Sequence, residues 1–168
     1  MRRFRIGIFG QPSSPTDGGS STLLTALREK VAILLPNDSI EIVPVPDTAW
    51  SHRRHLGRLI WRRLLRFGGC ELPWVDLRPL CRGLRLDLAY FMAPAFVEID
   101  IPYIFTLWDL GHRTVPDFPE MRSGRDSWRQ REALYKSMLP QASFVVTGNE
   151  AGAKEAREFY GLSTERLV

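Results

Sequence analysis

The sequence predicts one α/β domain, a parallel β-sheet with helices on both faces. Three observations carry that prediction. Compact β-branched and aromatic runs alternate with stretches of helical spacing along the chain. Strand–helix–strand order demands crossover connections, which leave successive strands parallel. The chain has 168 residues, 44% hydrophobic and 25% charged, the size and balance of one globular core.

The elements follow in order. Phe4–Phe9 is an apolar run and predicts a buried first strand. The run is too short, and too interrupted by Gly7, for a secretory signal, and no stretch has the length of a transmembrane helix. The expected location is therefore the cytoplasm, with any membrane contact peripheral and at the inner face. After the loop Gly10–Gly19, Leu23, Leu27, Val31 and Leu34 recur at helical spacing, with Ser20 or Ser21 as N-cap and Pro36 as terminator. Ile40–Val45 is a second, alternating strand. Residues 52–67 read as a basic amphipathic helix ended by Gly68-Gly69. Leu86–Met92 and Tyr103–Leu107 read as strands three and four, and Asp126–Leu139 as a helix. Phe144–Thr147 reads as strand five, and Glu150–Tyr160 as a helix closed by Gly161. Thr164–Val168 has the pattern of a further strand opening. No internal repeat or domain boundary is visible, so residues 1–168 are taken as one unit.

Cys70 and Cys81 have no partners at metal-ligand spacing and are expected as reduced thiols. No metal and no cofactor is expected. The formal net charge is +4, almost all of its positive part from arginine, with lysine only at Lys30, Lys136 and Lys154. Arg54, Arg58, Arg62 and Arg66 lie four apart and form one stripe on the 52–67 helix, with no acidic residue between Ser51 and Gly69. That stripe is either a solvated face or a surface that docks on anionic lipid. Concentration of the arginines on one helix ranks a nucleic-acid partner last.

Three segments could carry chemistry. Asp17-Gly18-Gly19-Ser20 lies in the loop after strand one, where paired glycines let backbone approach a ligand and a helix start offers N–H groups to an anion. It is neither a Gly-Lys-Ser/Thr nor a dinucleotide glycine fingerprint, and a plain turn explains it equally well. Trp108, Asp109, His112 and Arg113 follow strand four, at the sheet edge where open parallel sheets bind ligands. Asp109 and His112 are the catalytic candidates, and Trp108 and Arg113 binding candidates. Asn149 and Glu150 follow strand five and open a helix. Capping accounts for Asn149 without any ligand, and binding is the alternative.

At these residues a family resemblance becomes specific. Trp108-Asp109-Leu110-x-His112-Arg113, then Pro116 and Phe118-Pro119, are followed by Trp128-Arg129, Glu132 and Tyr135. Next come Val145-Val146-Thr147-Gly148 with Glu150-Ala151-Gly152, then Phe159-Tyr160-Gly161-Leu162 and Glu165-Arg166. In order and spacing, residues 102–168 resemble the N-terminal domain of glycosyltransferase family 4. Strand one and Gly18-Gly19 extend the resemblance to the start, and residues 46–85 share less of it. That family commonly has His-Asp where this chain has Trp108-Asp109, which we read as a subfamily feature.

The resemblance implies a GT-B enzyme, two Rossmann-like domains facing across a cleft, with this chain as the acceptor-side domain. A nucleotide-sugar donor would be held by a C-terminal domain outside these residues. Transfer would retain anomeric configuration without a metal, and a lipid-linked acceptor would suit the arginine stripe. Alone, the chain is expected to be inactive and to self-associate through its uncovered cleft face. The competing readings are a non-catalytic Rossmann-like binding module, one subunit of a split glycosyltransferase, and a nucleotide-binding protein of other function.

Overall fold

The computed structural model describes residues 2–10, 26, 29–30, 40–45, 74–117 and 128–168. The strands are β1 (Phe4–Phe9), β2 (Ile40–Val45), β3 (Val75–Asp76), β4 (Leu88–Phe91), β5 (Val97–Glu98), β6 (Tyr103–Leu107) and β7 (Phe144–Thr147). The helices are α1 (Arg78–Gly83), α2 (Gly111–Thr114), α3 (Trp128–Met138) and α4 (Glu150–Tyr160). Short 3₁₀ turns cover Leu139–Gln141 and Thr164–Arg166. Ala26, Glu29 and Lys30 are helical, inside the helix expected over residues 20–35.

Among the described residues, one sheet runs in the order β2-β1-β4-β6-β7, with every pair parallel. The chain thus has the α/β, Rossmann-like architecture that the alternating pattern predicts. β1, β2, β6, β7 and α4 have the expected boundaries, and β4 is shorter than the expected Leu86–Met92. The sheet does not end at β7: Leu167 bridges Val145 in parallel. Val168 N–H donates to the Val145 carbonyl at 3.0 Å and its carbonyl accepts from Thr147 N–H at 2.8 Å. The strand opening expected over Thr164–Val168 is met only at Leu167 and Val168, because Thr164–Arg166 forms a 3₁₀ turn.

Alternation places Phe9, Ala89, Phe91, Tyr103, Phe105, Leu107 and Val145 in one buried cluster. From β4 through β6 to β7 the sheet grows in one direction, so right-handed crossovers put α3 and α4 on the same side. Leu134, Tyr135 and Met138 from α3, Ala156 from α4 and Cys81 from α1 join that cluster. A smaller cluster of Ile8 and Met92, flanked by Ile42 and Tyr90, belongs to the opposite register of the strands. Gly7 lets Leu86 pack directly on β1, since a Cβ there would lie 2.4 Å from the Leu86 side chain. Asp87 ties the starts of β1 and β4 together. Its N–H donates to the Arg5 carbonyl at 2.8 Å, and its carboxylate accepts from Arg5 N–H at 2.9 Å.

β3, β5 and α1 are not expected from the sequence, and Val75, Leu77, Cys81 and Val97 pack them into the main core. β3 and β5 pair in parallel, with Val75 opposite Val97. Asp76 starts α1 by accepting from Arg78 N–H at 3.0 Å, and its carboxylate also binds the Arg78 guanidinium. Among the described residues, no helix is long and apolar enough to cross a membrane.

Candidate functional site at the carboxyl edge of the sheet

Strand order reverses between β1 and β4, because the chain leaves β1 to one side for β2 and returns on the other for β4. Such a switch point opens a crevice beyond the carboxyl ends of the two strands. Here those ends are Phe9-Gly10 and Phe91-Met92, joined by Met92 N–H donating to the Phe9 carbonyl at 2.9 Å.

Trp108 stands beside this point. Its indole N–H donates to the Met92 carbonyl at 2.9 Å, so the ring is pinned across the end of β4. The side chain is still 37% exposed. With its polar handle satisfied internally, the indole offers mainly apolar ring surface to whatever enters. Asp109 follows it on the surface. Oδ1 accepts from Gly111 N–H at 2.9 Å and from Arg131 at 3.0 Å. The Asp109 side chain is 57% exposed, so its carboxylate can also accept from a ligand hydroxyl.

His112 behaves differently. The expectation that it lines an open cleft with Trp108 and Asp109 is not met: the side chain is completely buried, at 0% exposure. The physical reason is α2, which turns the chain inward straight after Asp109 and drives the imidazole toward α3 and α4. There Nε2 lies 3.3 Å from Glu132 Oε2 and 3.2 Å from the Tyr160 hydroxyl. Arg113 is drawn to the same partner. Its Nε donates to Glu132 Oε2 at 2.9 Å, its second nitrogen bonds Oε1, and its guanidinium stacks on Phe159 and Tyr160. The Tyr160 hydroxyl donates to Oε2 at 3.1 Å and Lys136 reaches Oε1 at 3.1 Å.

Glu132 is therefore the centre of the cluster, only 5% exposed. Burial alone would push its carboxyl up. The hydrogen bonds from Arg113, Lys136, Tyr160 and His112 outweigh burial and bring it down to about 2. Burial lowers the His112 imidazole below its ordinary value, with Arg131 and Arg113 acting the same way and Glu132 opposing. Burial likewise pushes the Tyr160 phenol up to about 12, keeping it a donor. At neutral pH the cluster holds one carboxylate, its cations and a neutral imidazole. It can fix position, and its carboxylate and imidazole are both withdrawn from solvent. What it fixes is the ligand edge: α3 supplies Arg131 to the Asp109 carboxylate and Tyr135 to the Asp109 carbonyl at 3.4 Å.

Asn149 caps α4, its side chain accepting from Gly152 N–H at 2.8 Å, and Glu150 lies in the first turn. Both are exposed beyond the end of β7. Gly18, Gly19, Arg54, Arg58, Arg62 and Arg66 lie outside the described residues. Among the described residues, no group of three His, Cys, Asp or Glu side chains could hold a metal. The residues singled out at the strand end thus separate into two layers. Trp108 and Asp109 face outward, while His112 and Arg113 brace them from behind. Arg131 was not singled out in the sequence; its only signal is its place on α3 beside Glu132 and one turn before Tyr135. No protein-family model matches the chain, and no curated protein matches its sequence.

Proposed function

We propose that this chain is the acceptor-side domain of a two-domain GT-B glycosyltransferase and that Trp108 and Asp109 form part of its acceptor wall. One observation carries the reading. A pinned, partly exposed indole and an exposed carboxylate stand side by side at the carboxyl edge of a parallel sheet, next to its switch point. An apolar face beside a hydrogen-bond acceptor suits a polyhydroxylated ring, whose C–H face stacks while its hydroxyls donate. The resemblance over residues 102–168 supports it in a second way. Its scattered members His112, Arg113, Glu132, Tyr135 and Tyr160 come together as one brace behind that edge. In this reading the nucleotide-sugar donor belongs to a partner domain. The arginine stripe of residues 52–67 keeps the enzyme at an anionic membrane surface bearing a lipid-linked acceptor.

Transfer needs donor and acceptor held together, a positioning effect of about 7–11 kcal/mol that one wall cannot supply. The purified chain should therefore neither transfer sugar nor hydrolyse nucleotide sugars, and it should bind them more weakly than micromolar. Soluble glycosides should quench tryptophan fluorescence at millimolar concentration, and Trp108→Ala should abolish that response with the fold intact by circular dichroism. Micromolar nucleotide-sugar binding, or turnover by the chain alone, would refute the acceptor-side reading. Glycoside binding unchanged in Trp108→Ala would remove Trp108 from the site.

A further inference from the structure

Among the described residues, the buried imidazole of His112 has a ring nitrogen, Nδ1, with no hydrogen-bond partner. Its surroundings are strongly cationic. Arg113 faces it from α2, Arg131, Glu132, Tyr135 and Lys136 from α3, and Tyr160 from α4. Glu132 is the only anion in contact with it among the described residues, and both oxygens of that carboxylate already serve Arg113, with Lys136 on one and Tyr160 on the other. In the neutral ring with its proton on Nε2, Nδ1 is a bare acceptor, a small penalty. A second proton would turn Nδ1 into a buried donor with nothing to receive it and would add a charge beside Arg113. Both costs vanish if the four-residue helix α2 lifts away. Besides His112, α2 is held by Arg113, whose guanidinium bonds both Glu132 oxygens, and by turn bonds such as Val115 N–H to the Gly111 carbonyl at 2.8 Å, so lifting α2 also parts the Arg113–Glu132 pair.

We propose that His112 is a proton-controlled latch on α2. With a neutral ring, α2 is locked against α3 and α4 and Asp109 is held at the sheet edge; with a protonated ring, α2 is released. The latch goes beyond the glycosyltransferase reading and does not depend on what the edge binds. The direction of the imidazole shift agrees. Because burial lowers the folded value, the closed form has its full stability above the ordinary histidine value and loses it as pH falls. Below about pH 6.5, and down to the lowered value, the open-to-closed ratio rises toward open, approaching tenfold per pH unit as its limiting slope.

The test is amide hydrogen exchange on the whole chain from pH 8 to 5, corrected for intrinsic rates. The amides of Arg113, Thr114 and Val115, bonded back into α2, should lose protection by up to about fivefold between pH 6.5 and 5.5 while β7 amides stay constant. In His112→Phe, which keeps a flat ring and cannot ionise, α2 protection should be independent of pH over this range. A flat profile in the natural protein, or the same loss in His112→Phe, would overturn the latch. If His112→Phe does not fold, carbon-13 NMR of the three histidines decides it. The His112 signal should titrate below its value in the denatured chain, in step with the α2 exchange, and a titration at or above that value refutes the proposal.

Discussion

At the residue scale, Glu132 outweighs every group singled out at the strand end. One buried carboxylate ties α2, α3 and α4 together through Arg113, His112 and Tyr160. Removing one partner of a buried ion pair costs about 3–5 kcal/mol; Arg113 keeps some access to water, so Glu132→Ala should lose about 3 kcal/mol. Glu132→Gln should lose less, because the amide still accepts from Arg113. The pH dependence has a definite sign. The folded carboxyl, held at about 2, lies below the ordinary value near 4.3. Its contribution is complete above that ordinary value and disappears as pH falls toward about 2. Urea unfolding of the natural protein and Glu132→Gln at pH 7, 4 and 3 should show the gap between them closing, and a constant gap would refute the assignment. None of this was legible around His112. Its partners lie 20 and 48 positions further on, so the strand-end position was visible while its burial was not. Trp108 and Asp109 were legible because local position alone puts them at the sheet edge.

At the element scale, local chemistry governed what could be read. α4 is bounded by two such signals. Asn149 closes the free amides of its first turn, and Gly161 leaves it in the left-handed conformation at φ 65°. Asn149→Ala should cost about 1 kcal/mol through the lost cap. Gly161→Ala should cost about 1 kcal/mol through backbone strain. The two act at opposite ends of one helix, so thermal unfolding of the double variant should show additive losses. A double variant no less stable than either single one would mean that α4 does not unfold with the domain. β3, β5 and α1 left no comparable trace. Two-residue strands are too short for alternation to register, and Val75-Asp76 needs Val97-Glu98 beside it to exist at all. α1 has six residues, no acidic residue in its first turn and no side-chain cap. Its start depends on Asp76, whose role is apparent only once the chain has turned. The longer strands were legible because their β-branched and aromatic residues recur, in runs or in alternation, over four to six positions.

At the scale of the whole molecule, the sheet order decides where a ligand can sit, and the reading of the chain as an acceptor wall rests on that order. The proposed membrane contact belongs to the same scale, and it rests on the four-residue spacing of Arg54, Arg58, Arg62 and Arg66 in the sequence. Each arginine near an anionic surface contributes about 1 kcal/mol, so Arg54, Arg58, Arg62 and Arg66 together would give about 4 kcal/mol, a reversible attachment. Flotation with anionic vesicles should carry the protein, and neutral vesicles should not; reversing the four charges should abolish the difference. Equal flotation with both vesicle types would exclude electrostatic docking. The parallel arrangement also has a consequence in time. β1 reaches its first neighbour through Arg5 and Glu41, 36 positions apart, but meets β4 across 82, between Arg5 and Asp87. At about 5–20 residues per second of synthesis, the inner edge of β1 waits about 4–16 seconds for the strand that will cover it. During that interval the future centre of the sheet is an open apolar edge on a nascent chain, the kind of surface that chaperones bind and that other chains can pair with. Slower synthesis lengthens that exposure, so a translational pause between β1 and β4 should lower the yield of folded protein while leaving its final stability unchanged.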